Sequence, residues 1–478
     1  MKVLINYNFD PKDIMDLNFK ALYEEKRRDS CFAFAFEKDG KIYALRDHFG
    51  TVPLFFTRRE DKIVFSTTLD PLVVPESSVD LKGYKAYIAF GTTKILPIFK
   101  DIEIVPPGSV IEVNEEDAQI KLLFKYKFKR HKLSGFCGMN KLVELLDHLL
   151  LQAVKRTIKH NEVGLYFSGM GVDSLLTAIY LTKCGVKVNT YTCARWGKKG
   201  SELKYSRITA EKIGIKNHFV DVLDSEKVEE SLDKIFDLYG GPHGTSAAIG
   251  VTSLWLHTPL VKEKQVYGAQ GADTINCAVA VQNKAYVYSF IPRFIRRLLS
   301  DKLSGSLIDN YVRLASRGLL SARDIPSEIM DSIQAMQGRI PRLSIAGMLI
   351  CHTPGDGEAL SAPAINSNIL YSNIFYDVDV AEFFLGIPFA KRLNFTFSLQ
   401  LLDKIVLRRL AQRESELKDI HYILKMKKGF NLPLHVYGLS EQLERTKPLI
   451  NIPSDTESKF AAYVFSKYCK LKNLKTEE

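Results

Sequence analysis

A short glycine-containing stretch near the middle of the sequence carries residue types that can hold a phosphate chain. It contains Ser168, Gly169, Gly171, Asp173 and Ser174. Glycines let backbone N–H groups turn toward an anion, and serine hydroxyls can donate hydrogen bonds to phosphate oxygens. Phosphate would repel Asp173 unless a cation lay between them, so the stretch predicts a bridging Mg²⁺. A purely structural interpretation also exists, in which Asp173 and Ser174 cap the following helix.

Alternating strand and helix patterns surround this loop. Apolar runs predict strands at residues 163–167, 187–193 and 218–222, and helices at residues 175–183 and 205–213. This order predicts an α/β fold with a doubly wound parallel sheet, followed by further C-terminal helices. Nucleotides bind at the carboxyl ends of the strands in such sheets, which is where the loop lies.

The first part of the chain has a different pattern. Short strand-like runs at residues 31–37, 41–46, 63–66 and 110–113 are separated by turn signals. We therefore expect a smaller β-rich domain at residues 1–125 and a larger domain at residues 139–478. The basic, polar residues 125–138 are the best linker candidate. Residues 285–345 form a helical insert whose role the sequence does not indicate.

Composition excludes several classes of protein. The 478 residues are 46% hydrophobic and 25% charged, which is ordinary for a folded soluble protein. No run reaches the ~18 apolar residues that suggest a membrane-spanning helix. The N-terminus turns acidic before a secretory signal could form, so we expect a cytoplasmic protein. Seven scattered cysteines include no C-x-x-C pair, which argues against a zinc knuckle or a disulfide framework.

The formal net charge of +11 is compatible with a polyanionic partner such as nucleic acid. No aromatic-and-basic nucleic-acid signature accompanies this charge. A solvated basic surface is the preferred interpretation, and we expect no nucleic-acid partner.

The phosphate loop resembles the S-G-G-x-D-S loop of the N-type ATP pyrophosphatases, although this chain reads S-G-M-G-V-D-S and is one residue longer. Other fragments resemble motifs of the asparagine synthetase family, in the family's order. They lie at residues 32–54, 90–108, 202–214, 268–274, 373–377, 404–408 and 427–433. The most distinctive are G-A-Q-G-A-D-T, which is similar to S-G-E-G-A-D-E, and K-K-G-F-N-L-P, which is similar to K-K-G-F-G-x-P.

The resemblance implies ATP and Mg²⁺ as cofactors and the formation of AMP and pyrophosphate. Asp173 and Asp273 match the two carboxylates that hold Mg²⁺ on the ATP phosphates. Lys427 matches the lysine that stabilises charge at the α-phosphate and on departing pyrophosphate. A fixed cation at such a position acts mainly in the transition state.

Two departures from the family pattern limit the functional prediction. Glutamine-using members begin with a cysteine whose own amino group serves as the base for its thiol. This chain begins with Met1, and Cys31 falls inside a predicted strand. We therefore expect a truncated glutaminase-like domain without glutamine hydrolysis. The nitrogen would come from ammonia, a separate glutaminase or an amine of the substrate.

The second departure is Gln270, which replaces an acidic residue. A carboxylate there can accept a proton from the attacking nitrogen, whereas an amide cannot. β-Lactam synthetases, relatives that use the substrate's own amine, also differ at this position, where they carry tyrosine. Tyr267 and His243 are candidate replacement bases, although packing roles are the preferred interpretation for both.

Three hypotheses follow from these observations. The leading one is an AMP-forming amide ligase that joins a carboxylate to ammonia or an amine, with aspartate as a candidate carboxylate and β-lactam synthetase-like cyclisation as a variant. A tRNA-modifying pyrophosphatase and a catalytically degenerate family member are the alternatives. The sequence does not fix the oligomeric state.

Overall fold

The structure, a computed structural model, describes most of the chain. The described ranges are residues 18–26, 31–60, 62–114, 119–132, 137–169, 171–194, 201–221, 225–299, 305–393, 401–414 and 439–474. Within these ranges no helix is both long and apolar enough to cross a membrane.

Strands and helices are numbered in chain order. The strands are β1 (Ala33–Lys38), β2 (Lys41–Arg46), β3 (Phe55–Arg59), β4 (Lys62–Ser66), β5 (Glu103–Ile104), β6 (Ser109–Val113), β7 (Ile120–Lys125), β8 (Glu162–Tyr166), β9 (Lys187–Ala194), β10 (Lys216–Asp221), β11 (Gln265–Gly268) and β12 (Leu370–Asn373). The helices are α1 (Phe19–Ala21), α2 (Leu81–Phe90), α3 (Met139–Thr157), α4 (Val172–Lys183), α5 (Ser201–Lys212), α6 (Ser225–Tyr239), α7 (Ala247–His257), α8 (Ala272–Ile275), α9 (Ala280–Tyr288), α10 (Arg293–Leu299), α11 (Leu307–Ala315), α12 (Ser327–Gln334), α13 (Arg339–Ala346), α14 (Glu358–Asn366), α15 (Val378–Gly386), α16 (Ile405–Arg413), α17 (Ser440–Arg445) and α18 (Thr456–Leu471). A π-helical segment, Gly347–Gly357, joins α13 to α14.

The larger sheet has the strand order β10-β9-β8-β11-β12. Every neighbouring pair in it is parallel, so the predicted doubly wound α/β fold is confirmed. The chain order runs outward from β8 to β9 and β10, and then returns to the other side of β8 for β11. The carboxyl ends of β8 and β11 therefore lie side by side at the point where the strand order reverses, the usual place for a ligand in an open α/β sheet.

Both faces of this sheet are covered, which explains why its strands read as continuous apolar runs. Along β8, Val163 and Leu165 belong to one hydrophobic cluster and Tyr166 to another, because successive side chains point to opposite faces. The first cluster includes the buried faces of α3 and α4, such as Leu146 and Leu175. The second includes residues of α6, α7 and α14.

The amino-terminal region contains two smaller antiparallel sheets, with strand orders β1-β2-β6-β7 and β4-β3-β5. Their apolar side chains join the same two clusters as the larger sheet: Phe34 and Leu45 belong to the first, and Ala35 and Ala44 to the second. The two regions of the chain therefore share their hydrophobic core.

The segment predicted as a linker is anchored to the body of the protein. Residues 126–132 have no helix or strand, but Tyr126 and Phe128 are buried. The Tyr126 hydroxyl donates a hydrogen bond of 2.8 Å to Glu382, which also accepts one of 2.8 Å from the Lys129 backbone N–H. The segment thus fixes the amino-terminal sheets to α15.

Strands β11 and β12 lie in the part of the chain for which the sequence predicts only helices. Each has four residues, and such short segments do not distinguish a strand from a helix. These two strands complete the parallel sheet and carry much of the candidate site.

Arg46 stabilises the amino-terminal region from inside. Its side chain is 1% exposed and donates hydrogen bonds to the backbone carbonyls of Val52, Val105 and Gly50, at 2.7, 2.9 and 2.7 Å. Burial lowers the pKa of Arg46 to about 10, so the guanidinium remains charged at neutral pH.

We predict that Arg46→Leu lowers the free energy of unfolding by about 3–5 kcal/mol, since three buried carbonyls lose a charged donor. Urea denaturation followed by circular dichroism measures this loss. The control is Arg58→Leu, at an exposed position of β3, which should change stability by less than about 0.5 kcal/mol. Equal effects of the two substitutions would contradict the stabilising role of Arg46.

Candidate active site

The phosphate loop leaves β8 and enters α4 through a tightly packed glycine. Gly169 has a φ of +67°, and a Cβ atom there would lie 2.2 Å from the Cα atom of Ser206, so no other residue fits without displacing the backbone. The Thr209 hydroxyl donates a hydrogen bond of 3.0 Å to the carbonyl of Gly169. Helix α5 therefore packs against the loop and fixes the backbone at Gly169. Met170, the additional residue of the loop, lies outside the described residues.

The two serines of the loop are held in place by its backbone. Ser168 Oγ accepts a hydrogen bond of 3.0 Å from the Gly171 N–H, and the Ser174 hydroxyl donates one of 3.3 Å to the Gly171 carbonyl. Gly171 is the N-cap of α4 and no side chain caps this helix. The arrangement therefore differs from the alternative in which Asp173 and Ser174 act as caps.

The carboxylates of Asp173 and Asp273 both pair with the ammonium group of Lys404, although the two aspartates lie 100 residues apart in the sequence. The Nζ atom of Lys404 is 2.5 Å from Asp173 Oδ2 and 3.0 Å from Asp273 Oδ1. Asp173 follows β8 and Asp273 follows β11, and these strands are neighbours in the sheet. The parallel pairing thus explains why the two carboxylates meet.

Lys404 is a functional candidate that was not assigned a role from the sequence. It could have been found there, because it is the first residue of the fragment at residues 404–408 that is similar to K-x-x-L-R. Lys404 immediately precedes α16, and its backbone N–H donates a hydrogen bond of 2.8 Å to the Asp403 carboxylate. Its side chain is 5% exposed. Burial favours a lower pKa for Lys404, but Asp173 and Asp273 outweigh this effect and raise it. The ammonium group therefore stays charged.

Asp173 is the more buried of the two carboxylates. Burial raises the pKa of Asp173 above its ordinary value; Lys404 opposes this shift and Asp273 adds to it. The Oδ1 atom of Asp173 is buried and has no hydrogen-bond partner among the described residues. The two carboxylates, with the Asp173 Oδ1 atom still able to accept, therefore form a site that attracts a further positive charge.

This donor set fits Mg²⁺. Within the described ranges no group of three or more His, Cys, Asp or Glu side chains is placed to hold a metal. Mg²⁺ that bridges nucleotide phosphates, however, usually takes only one or two carboxylates from the protein. Asp173 and Asp273 supply two such carboxylates beside the phosphate loop.

Gln270 lies at the end of β11, next to the carboxylates. Its Nε2 atom donates a hydrogen bond of 2.5 Å to the Tyr371 hydroxyl, and its backbone carbonyl accepts one of 2.9 Å from Asn373. Its Oε1 atom is buried without a hydrogen-bond partner in the described part of the chain. The structure therefore brings Gln270 together with the residues of β12.

The two candidate replacement bases have other contacts. The Tyr267 hydroxyl donates a hydrogen bond of 3.0 Å to Thr157 Oγ1 in the core. The ring of His243 stacks on Tyr239, with centroids 4.6 Å apart, and its Nδ1 atom lies 3.3 Å from Glu358. These contacts give both residues the packing roles that the sequence analysis preferred. Lys427 lies in residues 415–438, outside the described residues.

We predict that Lys404→Met lowers the free energy of unfolding by about 3–5 kcal/mol in metal-free buffer, because two partly buried carboxylates lose their cation. Adding Asp173→Asn to this variant should recover part of the loss, with a coupling energy of about 1–3 kcal/mol in a double-mutant cycle. Urea denaturation of the four proteins measures both quantities.

A matched control is Lys183→Met. Lys183 also forms an ion pair, at 2.7 Å to Glu414, but its side chain is 41% exposed, so we expect a loss below about 1 kcal/mol. Strict additivity of Lys404→Met and Asp173→Asn would show that their ion pair does not stabilise the site.

The parallel sheet, the phosphate loop at its reversal point and the two converging carboxylates define an α/β nucleotide-binding protein of the ATP pyrophosphatase type. Residues 145–335 match the family model for asparagine synthase, and residues 24–126 match that for the glutamine amidotransferase domain. These matches support an asparagine synthase-type domain preceded by a glutaminase-like amino-terminal region, the arrangement expected of an asparagine synthetase family member.

Asparagine synthetase [glutamine-hydrolyzing] 1 from Bacillus subtilis (strain 168) is 25% identical to this chain over 228 residues. The match covers 46% of this chain and 35% of that protein, so the chain spans about a third of the length of the curated relative it matches.

Three solved structures show weak overall likeness. The NH3-dependent NAD synthetase from Campylobacter jejuni is 16% identical, with a TM-score of 0.22, and the match covers 42% of this chain and 94% of that one. The U34-tRNA thiolase from Methanococcus maripaludis is 14% identical, with a TM-score of 0.22 and coverages of 60% and 90%. The glutamine-dependent NAD+ synthetase from Acinetobacter baumannii is 12% identical, with a TM-score of 0.23 and coverages of 70% and 81%.

Proposed function

We propose that this protein is an ATP-dependent carbon–nitrogen ligase. It activates a carboxylate as an acyl-adenylate, with release of pyrophosphate, and transfers the acyl group to ammonia or an amine, with release of AMP. The proposal rests on the position of two carboxylates, those of Asp173 and Asp273, which meet at the ammonium group of Lys404 beside the phosphate loop. The asparagine synthase match over residues 145–335 supports the same reaction class.

The phosphate loop binds the triphosphate of ATP in this proposal. Backbone N–H groups of the loop around Gly169 and the amino end of α4 face the negative charge, and the Ser168 hydroxyl adds a donor. The Ser174 hydroxyl can exchange its hydrogen bond to the Gly171 carbonyl for one to phosphate. Mg²⁺ held by Asp173 and Asp273 would neutralise phosphate charge. Lys404, already charged and buried beside them, adds a fixed positive group.

Lys427 is proposed to stabilise the charge that develops on the α-phosphate and on pyrophosphate. This assignment is supported by the K-K-G-F context of the residue and by its match to the family motif. Such preorganised cations act mainly in the transition state and are typically worth a few kcal/mol.

The acyl-adenylate must be protected from water, because bulk water would hydrolyse it. Several side chains around the proposed site are at least nine-tenths buried, among them Ser174, Lys404 and Tyr371. This burial also strengthens the electrostatic interactions inside the site.

The second half-reaction needs a nitrogen that attacks the acyl-adenylate, and Gln270 bears on which nitrogen this is. Gln270 stands where the family motif has an acid, and its amide does not titrate. Aspartate with free ammonia is one substrate pair for this site. A carboxylate whose own amine closes a ring, as in β-lactam synthetases, is the alternative, and the substitution at Gln270 is compatible with it.

Glutamine hydrolysis is proposed to be absent from residues 1–125. The reaction needs a cysteine with a free α-amino group. Within the matched residues 24–126 the sequence contains one cysteine, Cys31, whose nitrogen is part of a peptide bond. The amino-terminal domain then serves as a packing partner for the synthetase domain, residues 139–478. All seven cysteines are free, which suits the reducing cytoplasm.

We predict acid-dependent exchange of pyrophosphate into ATP. A screen of carboxylic acids with Mg²⁺, ATP and labelled pyrophosphate should reveal at least one acid that supports exchange. Asp173→Asn should reduce that exchange by about 100-fold or more, because phosphate charge is no longer neutralised.

The control for this variant is Asp237→Asn, an exposed residue of α6, which should exchange at the wild-type rate. Calorimetry establishes whether ATP binds. Binding of Mg²⁺ and ATP without exchange for any acid would show that the protein does not form acyl-adenylates.

We also predict that ammonium chloride supports amide formation and glutamine does not. Release of glutamate from glutamine should stay at background, and Cys31→Ala should leave product formation with ammonium unchanged. Glutamate is measured by chromatography of the reaction mixture. Glutamate release that disappears in Cys31→Ala would contradict the proposed loss of glutaminase activity.

A further inference from the structure

A π-helical segment, Gly347–Gly357, lies against the loop that carries Gln270 and Asp273. π-Helical turns are rare and are often found at functional sites. A Cβ atom on Gly357 would lie 2.5 Å from the Tyr376 hydroxyl, so this segment packs closely on the residues that follow β12. It presents one titratable ring, that of His352, toward the loop.

The Nε2 atom of His352 faces Gly271, the residue that follows Gln270 in the loop. A Cβ atom on Gly271 would lie 3.5 Å from this nitrogen. The atom is buried and has no hydrogen-bond partner among the described residues. Buried ring nitrogens normally find a partner, so an unpartnered one beside a reactive loop indicates a ligand.

A second unpartnered atom lies in the same loop. Gln270 Oε1 is buried without a hydrogen-bond partner, while Gln270 Nε2 is held by the Tyr371 hydroxyl at 2.5 Å. The amide is therefore oriented by Tyr371, and Tyr376 is a second neighbour of its side chain. A carbonyl oxygen and a ring nitrogen, carried by two segments that pack against each other, are acceptors suited to a group rich in N–H bonds, such as ammonia or an amine.

The protonation state of His352 suits an acceptor. Burial lowers the pKa of His352, and Asp356 and Asp273 only partly oppose this shift. The ring is therefore neutral near pH 7, and one of its nitrogens has a free electron pair.

The other groups of the site are poorer bases. Burial raises the pKa of Tyr371 and of Tyr376, so both phenols keep their protons. Asp273 is paired with Lys404 at 3.0 Å, and the Gln270 amide does not titrate.

We propose that His352 is the base that accepts the proton of the attacking nitrogen, and that Gln270 Oε1 orients this nitrogen. The proposal rests on the ligase function above. A neutral amine or ammonia attacks the acyl carbon, the C–N bond forms, and the C–O bond to AMP breaks. The electron pair of that bond leaves with the phosphate of AMP, and the proton from nitrogen moves to His352 Nε2. The histidine thus supplies the basic function that Gln270 lacks.

The test separates the two half-reactions in His352→Gln, which keeps the size and polarity of the side chain. Pyrophosphate exchange with the acid found in the screen should stay within about two-fold of wild type. Amide formation with ammonium chloride should fall by about 100- to 10,000-fold. Hydroxylamine, which reacts with acyl-adenylates as a strong nucleophile, should still trap the intermediate as hydroxamate.

The matched control is His148→Gln, an exposed position on α3, which should leave both rates unchanged. Wild-type amide formation in His352→Gln would overturn the proposal. A parallel loss of exchange and amide formation would overturn it as well, because the residue would then act before nitrogen attack. Absence of exchange in the unaltered protein would instead overturn the ligase function, and this assignment with it.

Discussion

The ion pairs of Lys404 with Asp173 and Asp273 are the interaction on which the site depends. They join the end of β8, the end of β11 and the start of α16 at one point. Two partly buried carboxylates would repel one another without a positive charge between them. The same feature that makes the arrangement costly, an anionic pair in a buried place, gives it affinity for cations. Electrostatics therefore link the stability of the fold at this edge of the sheet to the chemistry that the edge can perform.

The sheet topology determines which residues meet at this edge. Strands β8 and β11 are separated by almost 100 residues of sequence but are hydrogen-bonded neighbours. The phosphate loop follows the first strand, and Gln270 and Asp273 follow the second. Strand β12 then adds Tyr371, which fixes the Gln270 amide. The phosphate loop, Gln270 and Asp273 are thus placed at the ends of rigid strands, and the order of the strands decides their neighbours.

Much of this arrangement could be predicted from the sequence. The strand and helix patterns around the phosphate loop are long and periodic, so the parallel sheet was predictable. That Asp173 and Asp273 act together was implied only by the resemblance of their motifs to those of the asparagine synthetase family. Strands β11 and β12 were not predictable, because four residues are too few to show a clear period. The place of His352 was also hidden: it depends on a π-helical segment that contains Pro354, and no local sequence pattern shows which loop such a segment will face. The role of Lys404 was visible only as a motif without an assigned function.

The shared hydrophobic core has a consequence for the history of the protein. Phe34 and Leu45 of the amino-terminal sheets pack in the same cluster as Leu146 and Leu175 of the larger sheet. Evolution cannot easily discard a region that provides one wall of its neighbour's interior, because deletion would expose that interior to water. Natural selection would then preserve the buried surface of these sheets independently of any reaction that they catalyse.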